Sequence, residues 1–354
     1  MKYKHLGNTK IQVPAIGQGT MGIGGYFTKD ATRDDFYVRM LRKGIESGMT
    51  FIDTAEAYGQ RHSEVLVGRA IKNCRKKVFV ATKVSPENLS YDSLIKAAED
   101  SLRRLQTDYI DLYQIHWSNP AIPIEETLGA MERLIDDGKI RHAGVCNFSL
   151  DELKSANAIF KDKIVSNQVE YNLFDRTIEE DILPYCEKEN ITVIAYSPLD
   201  NGNFMNYGRL WMLEKIAKEY DKTASQIILN WLTSKSPVIA IPKATCDIHV
   251  EENASSMDFN LTHEDMEFIN RTFWHPRNII PMNLIKADKT GLDNLVPKAE
   301  DLAKNIMAGA TLKPVRVKKI QDPDYDYELV EGKVRYWARF IAMGANATIE
   351  ALIR

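Results

Sequence analysis

Four cysteines in 354 residues, Cys74, Cys146, Cys186 and Cys246, are too few and too scattered for a disulfide framework or a metal-type spacing. They read as reduced thiols of a cytoplasmic protein. No uninterrupted apolar run reaches the length of a transmembrane helix. The stretch Met1 to Lys10 has no apolar signal core, so neither membrane insertion nor secretion is expected. Charge of one sign is also lacking: a net −3 gives no general reason to expect a nucleic-acid partner. A usable glycine fingerprint is missing as well. Gly17, Gly19 and Gly22 spell G-x-G-x-x-G, but the chain runs on through Ile23-Gly24-Gly25 into Tyr26-Phe27. No helix opens there, as a dinucleotide fingerprint requires, and a glycine-rich rim loop is expected instead. What is present, 44% hydrophobic and 27% charged residues, is ordinary for a folded protein. The length suits one large α/β domain with a smaller one.

After a short hairpin over residues 2–14 turning at Gly7-Asn8, strand and helix patterns alternate. Short, nearly continuous apolar runs near residues 16, 50, 78, 110, 142, 165, 192 and 238 read as eight strands buried on both faces. Helical patterns separate them at 34–47, 63–71, 90–105, 124–136, 151–160, 178–189, 210–220 and 224–234. Eight strand–helix units in roughly 250 residues predict a (β/α)8 TIM barrel, with a doubly wound sheet as the alternative.

Catalytic groups of such barrels sit at the C-terminal ends of strands. Those ends carry Asp53, Lys83, His116, Asn147, Gln168, Tyr196-Ser197 and Lys243, each closing an apolar run. Any one of them alone is more simply a turn carboxylate, a solvated lysine or a packing histidine. Together, in register, they indicate a pocket. Tyr58 follows Asp53 by five residues in the next loop. A phenol near pKa 10 is a poor acid at neutral pH, and a nearby ammonium is expected to lower it. A carboxylate would keep that ammonium charged, and a histidine could hydrogen-bond a substrate oxygen. The set can protonate a carbonyl oxygen while hydride arrives at carbon.

Over about residues 1–275 the sequence resembles the aldo-keto reductase superfamily. The resemblance rests on Phe51-Ile-Asp-Thr-Ala-Glu-Ala-Tyr58-Gly, Ser63-Glu-Val-Leu-Val-Gly, Ala81-Thr-Lys83, Ile115-His116-Trp, Gly144-Val-Cys-Asn147-Phe, Asn167-Gln168-Val-Glu-Tyr, Ala195-Tyr196-Ser-Pro-Leu and Ile241-Pro-Lys243 followed by Glu252-Asn253. It implies a barrel that binds an extended nicotinamide dinucleotide and reversibly reduces an aldehyde, a ketone or a sugar- or inositol-type substrate. It implies Tyr58 as general acid/base, Asp53 and Lys83 as its tuning pair, and His116 as the group that orients the carbonyl. Asn147 and Gln168 would hold the nicotinamide carboxamide, with Tyr196 stacked on the ring. Gly19, Thr20, Ser197, Leu199, Lys243, Thr245, His249, Glu252 and Asn253 would complete the cofactor contacts. Met21, Tyr26 and Trp117, with Phe27, would line the substrate mouth. Two positions depart from the family: Cys146 replaces a usual serine, and His249 stands where many members place an arginine on the adenosine 2′-phosphate. With Lys243 retained, NADP is expected and NAD stays open. The rival reading is a cofactor-sensing regulatory protein that does not turn over.

The remaining residues, 276–354, carry their own pattern: a helix over 299–307, a turn into a strand over 309–317, a strand at 327–330, and a helix opening at Gly332. Tyr327-Glu-Leu-Val-Glu-Gly332-Lys-Val-Arg335-Tyr-Trp-Ala338 resembles the ParB N-terminal/sulfiredoxin-like fold. That resemblance implies a small α+β domain binding a nucleotide or phosphate at Gly332–Arg335, where free N–H groups and a basic side chain would face an anion. Lys333 stands where those families place a glutamate or a reactive cysteine, which argues against sulfiredoxin chemistry and against a small-molecule kinase. A structural lid or a surface for a homo-oligomer is the alternative.

Overall fold

The computed structural model describes residues 1–160, 163–206, 209–273, 277–292, 295, 297–307, 312 and 314–353. It divides into two units, Met1–Thr272 and Phe273–Arg354. The expected boundary at 275/276 lies outside the described residues.

In the first unit, β1 (Tyr3–His5) and β2 (Gln12–Pro14) form the expected antiparallel hairpin. Eight parallel strands follow: β3 (Gln18–Gly19), β4 (Phe51–Asp53), β5 (Phe79–Val84), β6 (Ile110–Ile115), β7 (Ile140–Cys146), β8 (Ile164–Glu170), β9 (Thr192–Tyr196) and β10 (Val238–Ala240). Each pairs with the next in sequence. A parallel bridge from Ile16 to Ala240 closes the ring, with Gly17 N–H donating to the Ala240 carbonyl at 2.8 Å and Gly19 N–H to that of Pro242 at 3.1 Å. Closure leaves the parallel sheet no open edge. The glycines make it possible. A side chain at Gly17 would begin 2.7 Å from the Phe51 carbonyl oxygen, and one at Gly19 2.6 Å from that of Ile241. The rim-loop reading therefore holds only for the later glycines: Gly22, Gly24 and Gly25 take φ of +87°, +78° and +108° in the loop that follows.

The helices fall close to where periodicity put them, including Asp34–Glu46, Tyr91–Leu105 and Ile124–Asp136. One differs. The pattern over 178–189 is a 3-10 turn, Thr177–Glu180, and a helix, Ile182–Lys188, broken at Asp181. Pro184 tolerates only a first-turn position, so the helix starts just before it. Asp181 caps that start by accepting from the Ile182 N–H at 2.6 Å. Inside the barrel, Phe51, Ala81, Leu112, Ile194 and Ile239 pack with no exposure. Fully burying a large apolar side chain contributes about 1.5–3 kcal/mol, so this core holds the strand ends in fixed register.

The second unit has a mixed five-stranded sheet in the order β11 (Arg277–Pro281), β15 (Thr348–Ile353), β13 (Val315–Lys319), β14 (Tyr327–Glu331), β12 (Ile285–Lys286). The helices Ala299–Met307 and Lys333–Met343 pack on each other through Ala299, Ala303, Ile306 and Ala338. The turn expected at Gly309 lies outside the described residues.

Candidate active site

Three residues on adjacent strand ends form the centre. Asp53 is the last residue of β4, Lys83 the penultimate residue of β5, and His116 follows β6. Lys83 has no exposure. Its ammonium donates to Asp53 Oδ2 at 2.5 Å, to the Thr54 carbonyl at 2.9 Å and to the Tyr58 hydroxyl oxygen at 3.1 Å. Three donors meet three acceptors, which is what a buried ammonium requires. The Tyr58 hydroxyl thus accepts from Lys83 and keeps its own proton to give. Its ring meets His116 edge-on, with centroids 5.7 Å apart.

The electrostatics correct one expectation. Burial acts to lower the Lys83 pKa, but Asp53 and Tyr58 outweigh it and the group is held above its ordinary value. For Tyr58, burial dominates; Lys83 opposes it without cancelling it, and the phenol is pushed up to about 12 rather than down. The cause is that one ammonium shared with a carboxylate offers the phenolate little net charge. Burial, with help from Lys83, takes His116 down to about 3, so the ring is neutral at physiological pH. Burial also pushes the Cys146 thiol up, keeping it protonated.

A ring of amides extends the centre. Gln168 Nε2 donates to Asp53 Oδ1 at 2.7 Å. Asn147, at φ +61° in the left-handed region that asparagine tolerates, donates from Nδ2 to the His116 carbonyl at 3.1 Å. Its Oδ1 accepts from the Tyr196 hydroxyl at 2.9 Å. Asp53, Tyr58, Lys83, His116, Asn147, Gln168 and Tyr196 therefore make one connected group. Beyond it, Ser197 at φ +45° donates to Asn201 Oδ1 at 3.3 Å. Leu199 and Thr245 are half-buried. Thr20 is buried; its hydroxyl accepts from Ser63 at 2.9 Å, and its N–H donates to the Asp53 carbonyl at 3.0 Å. Lys243 is exposed and donates to the Tyr26 hydroxyl at 3.0 Å. His249, Glu252 and Asn253 sit on the helix Asp247–Ser255, His249 exposed and Asn253 buried, without hydrogen bonds to the central group. Met21, Tyr26 and Trp117 stand at the rim, about half exposed.

Sequence reasoning missed two supports. Gln114 on β6 also points its amide at Asp53 Oδ1, at 3.4 Å. Its signal was a polar residue inside the apolar run Ile110–Ile115. Glu64 is fully buried, accepting from Thr82 Oγ1 and Arg104 Nε, each at 2.6 Å. This explains the Ser63-Glu-Val-Leu-Val-Gly motif: Ser63 bonds Thr20, Glu64 ties the helix to β5, and Gly68 lets its helix approach the Leu105 carbonyl, 2.7 Å from where a side chain would begin.

The donor set fits a nicotinamide dinucleotide: two carboxamides and an aromatic ring at the centre, with a hydroxyl and an exposed cation further out. Residues 15–272 match the aldo/keto reductase family. The chain belongs to that family. It is 38% identical to methylglyoxal reductase YeaE of Escherichia coli over 278 residues, 78% of this chain and 96% of that one. A solved aldo/keto reductase from Klebsiella pneumoniae in complex with NADP and acetate is 36% identical, covers 77% of this chain and 96% of its own, and superposes with a TM-score of 0.72. The thermostable reductase Tm1743, solved with the inhibitor epalrestat, is 44% identical over 77% of this chain and 99% of its own, with a TM-score of 0.74. This reductase is an NAD(P)H-dependent enzyme that interconverts a carbonyl and an alcohol.

In the reductase's second unit, both cations of the segment Gly332–Arg335 are held by neighbouring groups of that unit. Arg335 donates to the Pro314 carbonyl at 2.9 Å, and Lys333 donates to Asp288 Oδ1 at 2.9 Å and the Thr290 carbonyl at 3.0 Å. Among the described residues no helix is long and apolar enough to cross a membrane.

Proposed function

We propose that the reductase acts on small aldehydes, with Tyr58 as the residue that exchanges the proton with the substrate oxygen. The observation that carries this reading is the fully buried Lys83 ammonium bridging Asp53 and the Tyr58 hydroxyl. The cofactor is NADP, which supplies or accepts the hydride when bound. The chain's own side chains do the rest. His116, neutral at working pH, donates a hydrogen bond to the substrate oxygen and orients it. Tyr58, its oxygen held by Lys83, gives its proton to that same oxygen. Asp53 keeps the Lys83 ammonium charged and in place. Asn147 and Gln168 hold the cofactor's carboxamide and Tyr196 lies on its ring, while Gly19, Thr20, Ser197, Leu199, Lys243, Thr245, His249, Glu252 and Asn253 receive the remainder. Met21, Tyr26 and Trp117 meet the substrate. The methylglyoxal reductase among its relatives supports a compact 2-oxoaldehyde as one substrate.

NADPH and NADH consumption against a panel of aldehydes, ketones and sugars, methylglyoxal included, tests the reading with Tyr58→Phe as control. General acid catalysis is worth about 10²–10⁴-fold, so Tyr58→Phe should lose that much kcat and keep its NADPH affinity. Turnover preserved in Tyr58→Phe rejects the assignment. Tight NADPH binding by the parent protein with no turnover on any substrate favours the sensor reading.

For the second unit, a ParB N-terminal-like phosphate site is carried by the sequence Tyr327–Ala338 alone. The bonds that Lys333 and Arg335 already make to Asp288 and to the Pro314 carbonyl weigh towards a structural role, so the proposal extends no further than a small α+β unit. A cytoplasmic location is proposed from the reduced cysteines, none of them paired.

A further inference from the structure

Two amides converge on one carboxylate oxygen. Asp53 Oδ1 is reached by Gln168 Nε2 at 2.7 Å and by Gln114 Nε2 at 3.4 Å. Gln168 holds the good position, and Gln114 stands at the edge of hydrogen-bond range. Gln114 is otherwise costly where it lies. It has no exposure, and its Oε1 has no partner. Ser166 Oγ, also buried and without a partner, lies across Gly144 from it: a side chain at Gly144 would begin 2.4 Å from that oxygen and 3.2 Å from Gln114 Cγ. A polar residue with one weak bond and one unmet acceptor would serve the barrel core worse than leucine. Its value has to arise in another state of the site.

That state follows from the reading that Gln168 holds the cofactor's carboxamide, on which this inference rests. One N–H of the Gln168 amide is given to Asp53 Oδ1. Asn147, its companion, is occupied at both ends, by the His116 carbonyl and the Tyr196 hydroxyl. Turning Gln168 towards a ligand uncovers Asp53 Oδ1 inside the barrel. We propose that Gln114 is a positioning residue that takes over Asp53 Oδ1 when Gln168 turns to the cofactor. Closing by a few tenths of an ångström gives it a normal charge-assisted bond. Asp53 then stays fixed on Lys83, and Lys83 on Tyr58, whether or not cofactor is bound. No proton moves in this exchange; one N–H···O bond replaces another.

The test is NADPH affinity of the whole protein, read by fluorescence without substrate, in Gln114→Met and Gln168→Met. A hydrogen bond to a charged group is worth about tenfold or more in an equilibrium constant. Gln114→Met should weaken NADPH binding about tenfold, because Gln168 can leave Asp53 only by exposing it, yet keep the parent's melting temperature without cofactor. Its aldehyde KM at saturating NADPH should stay within twofold, a split that general damage to the site would not give. Gln114→Leu, read the same way, repeats the measurement should the methionine variant fail to fold. Unchanged NADPH affinity in Gln114→Met beside weakened affinity in Gln168→Met overturns the handover and leaves the carboxamide assignment standing. Unchanged affinity in Gln168→Met overturns the carboxamide assignment, and the handover with it.

Discussion

Lys83 Nζ lies 2.5 Å from Asp53 Oδ2, with both side chains shut off from solvent. A buried pair of this kind is weak evidence for stability, because removing two charges from water offsets most of their attraction. Breaking it is another matter. Lys83→Met leaves a buried carboxylate facing an apolar side chain, a loss of about 3–5 kcal/mol. Urea unfolding at neutral pH should show the loss, together with the disappearance of turnover. A variant as stable as the parent would mean that Asp53 relaxes towards water.

His116 makes a pH prediction with a definite sign. Its folded pKa, about 3, lies below the ordinary value of 6.5, so between those values the unfolded chain binds a proton that the folded protein does not. The unfolded state is favoured there, and stability falls as pH drops from 6.5 towards 3. His116→Asn removes the titrating group. Its stability measured at pH 5 relative to pH 7 should improve on the parent's. An unchanged ratio would mean that His116 ionises normally in the folded protein.

Much of this was legible beforehand because strand ends are legible. A polar residue closing each short apolar run placed Asp53, Lys83, His116, Asn147 and Tyr196 around one mouth, and they meet there within hydrogen-bond distance of one another or of shared partners. What escaped depended on depth and proximity. The direction of the Tyr58 shift is decided by burial, which spacing does not express. The work of Gly17 and Gly19 in closing the ring depends on the Phe51 and Ile241 carbonyls, brought close only by the barrel. Gln114 was hidden by its apolar neighbours. The helix Asp247–Ser255 was missed because it buries only Val250 and Asn253, too few for a periodic stripe.

The Tyr58 shift can be read directly. A phenol with a pKa of about 12 contributes no phenolate absorbance at pH 10, where an ordinary tyrosine is half ionised. A difference titration of the cofactor-free protein against Tyr58→Phe should therefore show no extra ionising group up to pH 10. A group titrating near 9 in the parent only would mean that the Lys83 charge, rather than burial, governs Tyr58.

His249 is exposed on the helix Asp247–Ser255, which follows β10 and Lys243 in the chain. That helix begins with Asp247, which pairs with Lys43 at 2.8 Å, and Glu251 on the same helix pairs with Lys43 at 2.6 Å. One lysine thus serves two carboxylates. Arginine would supply a permanent charge and a bidentate fork suited to a phosphate. His249→Arg should therefore raise the NADPH-over-NADH preference in kcat/KM about tenfold, the worth of one charge-assisted bond, while leaving NADH kinetics unaltered. The preference should also weaken with added salt, since the new contact is exposed. An unchanged ratio at low salt would place the 2′-phosphate away from His249 and leave Lys243 as its holder.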